Sequence, residues 1–388
     1  MPAFSPDGQY LAFVRNGSTR GHSSIHILDR GGRRERRVLS EERAISGLAW
    51  LSARQLLFSS NRSGPNTLWR RSLPQGVPSP LLGAGRGMMF ISYSRAGGRV
   101  AFAEEFRNEN IWRIPLRRSK SQSVAEKFLF SSRKTDSGEY APNGGAIAFV
   151  SDRLGTRQIW VAKASDSEPV QLSSVGPEVP IGTPRWSPDA REIVFDTVRN
   201  GHSAIAIMSA DGSNPHVFAA DPWDDMMPSW SHDGRWVYFT CRINGEIQVC
   251  RKPVGTGATM PIASKGGSDP RESPDGRFVF YAATKGIWQV PRDGGRETPL
   301  PGLSDVDPGR YWTVAGDSIY LLRSSRKPWT VYRYILATHS ISPVATIEKA
   351  PNFGSPGLSV SPDLAYLLFG QIDQEGTDIV MVEGIFPE

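Results

Sequence analysis

Apolar residues along this chain fall in short runs, each closed by a cluster of Pro, Asp, Asn, Ser or Gly, and none is long enough to cross a membrane as a helix. The stretch from Trp186 to Phe218 shows the pattern most clearly. Pro188 presets φ for a turn and Asp189 can accept from the following backbone, so the chain should reverse just after Trp186. The run Glu192-Ile193-Val194-Phe195-Asp196 is β-branched and nearly continuous in hydrophobicity, which predicts a strand covered on both faces. Asn200-Gly201 supplies the positive φ angles of a two-residue hairpin. A third strand, Ala204-Ile205-Ala206-Ile207-Met208, should stop at Asp211-Gly212, and His216-Val217-Phe218 is a short fourth. The predicted unit is four antiparallel strands.

The same phrase recurs nine times. Its clearest copies are Phe4-Ser5-Pro6-Asp7-Gly8 to Phe13, Trp186-Ser187-Pro188-Asp189 to Phe195, Trp230-Ser231-His232-Asp233-Gly234 to Phe239, and Ser273-Pro274-Asp275-Gly276 to Tyr281. Weaker copies end at Phe58, Phe102, Phe149, Leu321 and Phe369, and successive anchors stand 45, 44, 47, 46, 44, 42, 40 and 48 residues apart. A period in that range filled with short strands marks the blades of a β-propeller. The expected fold is therefore all-β, a propeller of four-stranded antiparallel blades forming one domain over 1–388. Nine blades exceed the usual four to eight, so eight are expected, with seven to nine allowed.

The third strand repeats as well, at Asn110-Ile111-Trp112-Arg113-Ile114-Pro115, Gln158-Ile159-Trp160-Val161, Gly286-Ile287-Trp288-Gln289-Val290-Pro291 and Asp378-Ile379-Val380-Met381-Val382. Large side chains at matching places in successive blades read as packing between sheets rather than as ligand contacts. After Val382 too few residues remain for a fourth strand, and only three precede Phe4. The ring is therefore expected to be open or irregular, or to be closed by a strand lying upstream of this sequence.

Composition changes this picture little. The 39 glycines and 30 prolines suit a turn-rich β-protein and fall short of a low-complexity chain. No basic and apolar leader precedes the first repeat, so neither signal peptide nor spanning helix is expected; the default compartment is the cytoplasm, or the periplasm if the chain is a lobe of a membrane-anchored protein. Two cysteines, Cys241 and Cys250, flank the Asn244-Gly245 turn. A two-residue turn pairs Cys241 with Gln248 and leaves Cys250 on the diagonal, so the expectation is a pair of free thiols. The formal charge is +6, and the densest basic run, Arg30 to Arg37, reads as a solvated hairpin because no aromatic side chains are interleaved with it.

The inventory of reactive motifs is thin. No Gly-x-Ser-x-Gly elbow, phosphate-cradling loop or kinase catalytic loop is present. His22, His26, His202, His216, His232 and His339 are scattered without ligand spacing and read as ordinary surface histidines, and no metal or cofactor is expected. Function in such a fold sits on the loops of several blades at one end of the channel. The candidates are the connections entering each first strand: Arg133 and Asp136 before Tyr140, Trp223, Asp224 and Asp225 before Trp230, Arg271 and Glu272, and Asp307 and Arg310 before Trp312. They form a mixed-charge surface suited to a protein, a peptide or a polar small molecule. A His and carboxylate pair facing the channel would instead favour an enzyme.

With the Ser-Pro-Asp-Gly turn, the Ile-Ala-Phe strand and the Ile-Trp strand in hand, the chain resembles the TolB-like branch of WD-repeat-like propellers over essentially its whole length. From Ile45-Ser46-Gly47-Leu48-Ala49-Trp50 to Asp378-Ile379-Val380-Met381-Val382-Glu383, the order of blades is similar to the C-terminal propeller of bacterial CadC-type transcriptional regulators, which begin with a winged-helix domain. Similar propellers follow serine/threonine kinase domains. The resemblance implies a non-catalytic sensor or interaction lobe of a signalling or regulatory protein, with no direct nucleic-acid binding by this chain. The alternative is a propeller enzyme, or an accessory domain of a peptidase or glycan-processing protein.

Overall fold

A computed structural model describes residues 2–16, 22–41, 43–62, 66–81, 87–116, 124–165, 168–176, 179–199, 202–323, 328–352 and 354–384. Among the described residues there is no helix, and so none long and apolar enough to cross a membrane. Strands among the described residues form eight antiparallel sheets, seven of four strands and one of five. The all-β expectation is met, with multiple four-stranded blades as in a propeller. The chain divides into two compact units. One comprises 1–107, 176–178 and 374–388, and the other 108–175 and 179–373.

The second unit contains five sheets made from consecutive chain, whose first strands are Thr135–Tyr140, Gly182–Trp186, Asp225–Trp230, Ser268–Glu272 and Trp312–Ala315. The sixth is composite: Leu358–Val360, then the first half of Tyr366–Val382, then the second half of Arg99–Pro115, then Glu126–Leu129. Six apolar clusters join each sheet to the next. Alternation along one strand does this. Ile193 and Phe195 pack back against Ala148, Val150 and Ile159. Val194, between them, packs forward with Ile205 and Ile207 against Val237 and Phe239. The last two clusters join Tyr320, Leu322 and Val331 to Leu358 and Phe369, and Leu368 with Ile111 to Ile147 and Phe149. The cycle closes with six sheets in this unit. Each large side chain so buried contributes about 1.5–3 kcal/mol.

The closing sheet of this unit is irregular. The strands that complete the last blade come from Asn108 to Pro115 and from Glu126–Leu129, inside the chain. Repeats anchored at Phe102 and Phe369 also depart from the four-strand plan, because their second and third strands run together as Arg99–Pro115 and Tyr366–Val382. Between Ala103 and Glu109 there is neither Gly nor Pro to break the first of them. Asn110 Nδ2 donates to Asp373 Oδ2 at 2.7 Å and the Leu116 N–H donates to the Ala365 carbonyl at 2.8 Å, tying the two long strands together in this unit.

The recurrent turn is held by the residues that announce it. Ser187 Oγ donates to Asp189 Oδ1 at 2.7 Å and accepts the N–H of Glu192 at 2.9 Å. Ser231 and Ser273 repeat both bonds. The fourth turn residue is left-handed, with φ of 67° at both Gly234 and Gly276 and 58° at Ala190. The aromatic before the turn reaches backward: Trp186 Nε1 donates to the Glu139 carbonyl at 3.3 Å, and Trp230 Nε1 to the Arg185 carbonyl at 3.2 Å. Each of these two first strands is stitched to the preceding one. Asn200 and Gly201, the expected hairpin, lie outside the described residues, but the flanking strands Glu192–Arg199 and His202–Ser209 pair in register.

In the first unit, Pro2–Phe4, Tyr10–Asn16, Ser23–Asp29 and Glu35–Glu41 form one sheet, and Ile45–Ser52, Gln55–Ser60, Thr67–Ser72 and Ser79–Pro80 another. Met88–Ser94 pairs with the start of Arg99–Pro115. The arginine run is an exposed hairpin whose N–H groups at Arg33 and Arg34 donate to Asp29 Oδ1.

The cysteines correct their expectation. Cys241 does pair with Gln248, yet Cys241 and Cys250 form a disulfide. Strand twist brings one diagonal of an antiparallel pair closer than the other, and the Cα atoms stand 5.8 Å apart, inside the bridging range.

Candidate functional site

Four first strands of the second unit share one distortion. Ser137, Thr183, Met227 and Asp269, each three residues before the strand's last residue, have φ of 58°, 45°, 56° and 53°. At each the register to the second strand slips by one. Such a bulge re-aims the side chains that follow it, because a shift of one residue exchanges the two faces of a strand. Pro184, Pro228 and Pro270 come next in three of the four; their missing N–H costs nothing on the innermost strand of a sheet.

Two residues after the bulge stand Glu139, Arg185, Ser229 and Arg271, and all four wall one cavity of about 400 Å³. Its rim is the recurrent turns of neighbouring sheets, represented by Pro142, Pro188, His232, Pro274 and Gly316. Trp186, Trp230, Val314 and Ala315 supply apolar wall.

Arg185 is only 3% exposed. Its Nη1 lies 2.6 Å from Glu139 Oε2 and donates to the Pro184 carbonyl at 3.2 Å, whereas its Nε and Nη2 have no partner. Burial, and secondly the nearby Arg271 guanidinium, pull its pKa down to about 10. Arg271, 8% exposed, has unpartnered Nε and Nη2 as well, the latter 3.6 Å from Asp269 Oδ1. Ser229 Oγ is committed to the Pro270 carbonyl at 2.6 Å.

On the rim, Glu272 is buried and His232 is open. Glu272 Oε2 accepts the His232 backbone N–H at 2.6 Å and lies 3.1 Å from its ring Nδ1, while Tyr238 Oη donates to Oε1 at 2.8 Å. The bond to Glu272 raises the His232 pKa, even though burial works against it. Burial works against the Glu272 charge too, but the bonds from His232 and Tyr238 outweigh it and hold the carboxyl below its ordinary range. Burial, then Glu272, pushes the Tyr238 hydroxyl well up.

Of the residues singled out from the sequence, the structure brings Arg271 and Glu272 to this cavity. Asp136 is buried beside Arg157 Nη2 at 2.7 Å and Lys134 Nζ at 3.2 Å; burial opposes its charge, but the two cations outweigh that and hold it well down. Arg310 joins an inner strand to a turn, donating from Nη2 to Thr183 Oγ1 at 2.9 Å and from Nη1 to the Gly354 carbonyl at 3.0 Å. Asp224 Oδ1 accepts the Ser203 N–H at 2.9 Å, Asp225 Oδ2 that of Asp221 at 3.2 Å, and Asp307 Oδ1 that of Gly309 at 3.1 Å. Trp223 is half-buried against the cluster of Phe239 and Ile207, and Arg133 is exposed, its N–H on Ser131 Oγ.

None of those seven lines the cavity. Glu139, Arg185 and His232 escaped sequence reasoning, His232 having been read as an ordinary surface residue. A signal existed. Among the four clearest turns, only Ser231-His232-Asp233-Gly234 replaces the proline, and only Glu272 replaces the aromatic before a turn. Proline has no N–H to give; the histidine gives one to that glutamate.

Residues 177–307, which carry most of the cavity wall, match the family model of the TolB beta propeller domain. The chain is 27% identical over 208 residues to the uncharacterized peptidase YuxL of Bacillus subtilis, a match covering 50% of this chain and 31% of that protein. It is 33% identical over 85 residues to the Tol-Pal system protein TolB of Francisella tularensis, covering 21% of this chain and 20% of that one. The chain thus spans less than a third of the length of either relative. Among solved structures, TolB from Acinetobacter baumannii superposes with a TM-score of 0.38 at 17% identity, over 74% of this chain and 62% of that one. The family-model match and the curated relatives support a TolB-like propeller. They do not support the expected likeness to CadC-type regulators.

Proposed function

We propose that the chain is a recognition propeller that receives a peptide or protein segment at the cavity of its second unit, as the accessory module of a peptidase-type protein. The observation that carries this is the convergence of recurrent turns from neighbouring sheets on one cavity walled by Glu139, Arg185, Ser229 and Arg271. Strand residues in such a fold are committed to packing, so binding falls to what faces the axis. The accessory role is supported by the match to part of a peptidase. A lobe of a signalling or regulatory protein has the recognition cavity in common with this reading, and the peptidase match favours the accessory role.

Panning a random peptide library on the full chain tests the proposal, with bound peptides located by hydrogen exchange. Protection at Ser229 to His232 and at Arg271 is expected. Peptides that protect only outer strands, such as Pro169–Gln171, overturn it.

A second reading has its own observation, the His232–Glu272 pair on the cavity rim. A histidine oriented by a buried carboxylate is the arrangement of a general acid or base. If the chain cleaves or eliminates on its own, His232→Asn should abolish turnover across a panel of fluorogenic peptides and uronate oligosaccharides. If no substrate in the panel is turned over by the unaltered chain, this reading fails and the recognition reading stands.

A further inference from the structure

We propose that the first unit binds an acidic peptide segment and seats one of its carboxylates beside Arg36 and Arg54, in the cleft between the first two sheets. The inference goes beyond the reading of the second unit and does not depend on it.

The argument begins with charge. Residues 1–81 hold twelve arginines and no lysine against five acids, a net charge of +7 where the whole chain carries +6. Four of those acids lie among the described residues, and each already has a task. Asp7 Oδ1 accepts from Ser5 Oγ and the Gln9 N–H within its own turn, and Asp29 Oδ1 holds the N–H groups of Arg33 and Arg34. Glu35 faces Arg15 and His26, and Glu41 is buried beside Arg62. Arg30, Arg33, Arg34, Arg36, Arg37 and Arg54 are exposed and have no ion-pair partner among the described residues. Like charge so concentrated works against the compact state and attracts anions.

Register brings two of these arginines into a cleft. Arg36 stands opposite Ile27 in the antiparallel pair, so it shares the face on which Ile27 packs with Trp50 and Leu56 of the second sheet. There it lines a cavity of about 450 Å³ together with Arg54, from the turn after Ile45–Ser52, and with Asp7, Tyr10, Trp50 and Leu73. Arg37 stands opposite His26 and belongs to the other face. No aromatic is interleaved with the arginines in sequence, but neighbouring strands bring Tyr10 and Trp50 to them in space.

The surroundings select the ligand. A guanidinium meets a carboxylate or phosphate with two parallel N–H groups, and lysine, which lacks that fork, is absent from residues 1–81. Asp7 in the same wall favours the singly charged carboxylate over a phosphate dianion. Trp50 is 5% exposed and its Nε1 donates to the Ala3 carbonyl at 2.8 Å, so it offers no open face on which a nucleic-acid base could stack. A flat bilayer surface would meet the arginine hairpin and leave the cleft unfilled. A side chain on an extended acidic segment enters it, while its neighbours reach the remaining arginines.

The test uses the full chain with fluorescein-labelled hexaglutamate. Hexaglutamine, a hexathymidine DNA strand and vesicles of phosphatidylcholine with phosphatidylserine are the rival probes. Anisotropy follows the soluble probes and co-sedimentation the vesicles. Hexaglutamate should bind at least tenfold more tightly than hexaglutamine, and should weaken as salt is raised through about 0.15 M. Arg36→Gln and Arg54→Gln should each lose at least fivefold in affinity with unaltered melting temperatures. Arg37→Gln, on the other face of the hairpin, should lose at most twofold. Arg191→Gln in the second unit, whose side chain is 85% exposed, should lose nothing.

Equal losses in Arg36→Gln and Arg37→Gln overturn the cleft as the seat of the carboxylate. Tighter binding of the DNA strand or the vesicles than of hexaglutamate overturns the acidic peptide as the partner. Absence of hexaglutamate binding, or unchanged affinity in both cleft variants, overturns the inference outright. Each of these results leaves the reading of the second unit intact.

Discussion

The carboxylate of Glu272 accepts the backbone N–H of His232 at 2.6 Å and faces the ring Nδ1 of the same residue at 3.1 Å. One buried acid thereby fixes both a turn and the ring above it, in the single clear copy of the turn that lacks proline. The folded-state pKa of His232 is raised above its ordinary 6.5, so its contribution is fully present below that value and is lost as pH rises through the folded pKa. The pKa of Glu272 is lowered from 4.5, so its contribution is present above 4.5 and is lost as pH falls through the folded pKa. The pair should stabilise most between about pH 4.5 and 6.5. Glu272→Gln should bring the His232 pKa down toward 6.5 in an NMR titration. An unchanged pKa would refute the pairing as its cause.

The recurrent turn makes a prediction in both directions. A Cβ added at Gly276 meets no heavy atom within 4 Å, so Gly276→Ala tests the left-handed backbone alone. With φ at 67°, a cost of about 1 kcal/mol is expected. Ala190 already holds that conformation at 58°, and Ala190→Gly should be neutral or stabilising by about 0.5 kcal/mol. Urea unfolding of the two variants checks this. The same sign for both would mean that something other than φ decides.

This turn is also where the sequence was most legible. Ser, Pro, Asp and Gly each act within five residues of themselves, so Ser187, Asp189 and the N–H of Glu192 could be connected on paper. The cavity was not legible in that way. Arg185 and Arg271 come together only because a cycle of six sheets places strands from different repeats around one axis, and each is aimed by a bulge that composition does not announce. The blade plan failed where it assumed a turn. Nothing between Phe102 and Asn110 asks for one, and the two long strands that result give nine repeats eight sheets.

Asp225 is fully buried, and burial first, then the neighbouring Asp221 and Asp224 carboxylates, push its pKa up to about 7. Between its ordinary 3.8 and about 7 the folded chain keeps a proton that the unfolded chain has released. Stability from this residue therefore falls as pH rises through that window. Asp225→Asn keeps an oxygen for the Asp221 N–H and removes the titration. The variant should melt higher than the parent at pH 8 and show a flatter profile of melting temperature against pH from 4 to 8. A parent that gains stability from Asp225 toward pH 8 would reverse the sign and sink the prediction.

Arg185 and Glu139 test how the cavity wall is held. Taking a guanidinium out of water is costly, and Glu139 at 2.6 Å offsets that cost for Arg185. Glu139→Gln leaves Arg185 buried and facing Arg271, and should destabilise by about 3 kcal/mol. Replacing both members, Arg185→Met with Glu139→Leu, removes the charges together and relieves Arg271 of a like-charged neighbour. The double variant should therefore lie within about 1 kcal/mol of the parent, much closer than the single one. Chemical denaturation of the three proteins decides it. If the double variant is the less stable, the ion pair contributes net stability and the wall is built for the fold. If the single variant is, Glu139 is what offsets the buried charge, and only a double variant more stable than the parent would show the arginine to be retained at a cost to the fold.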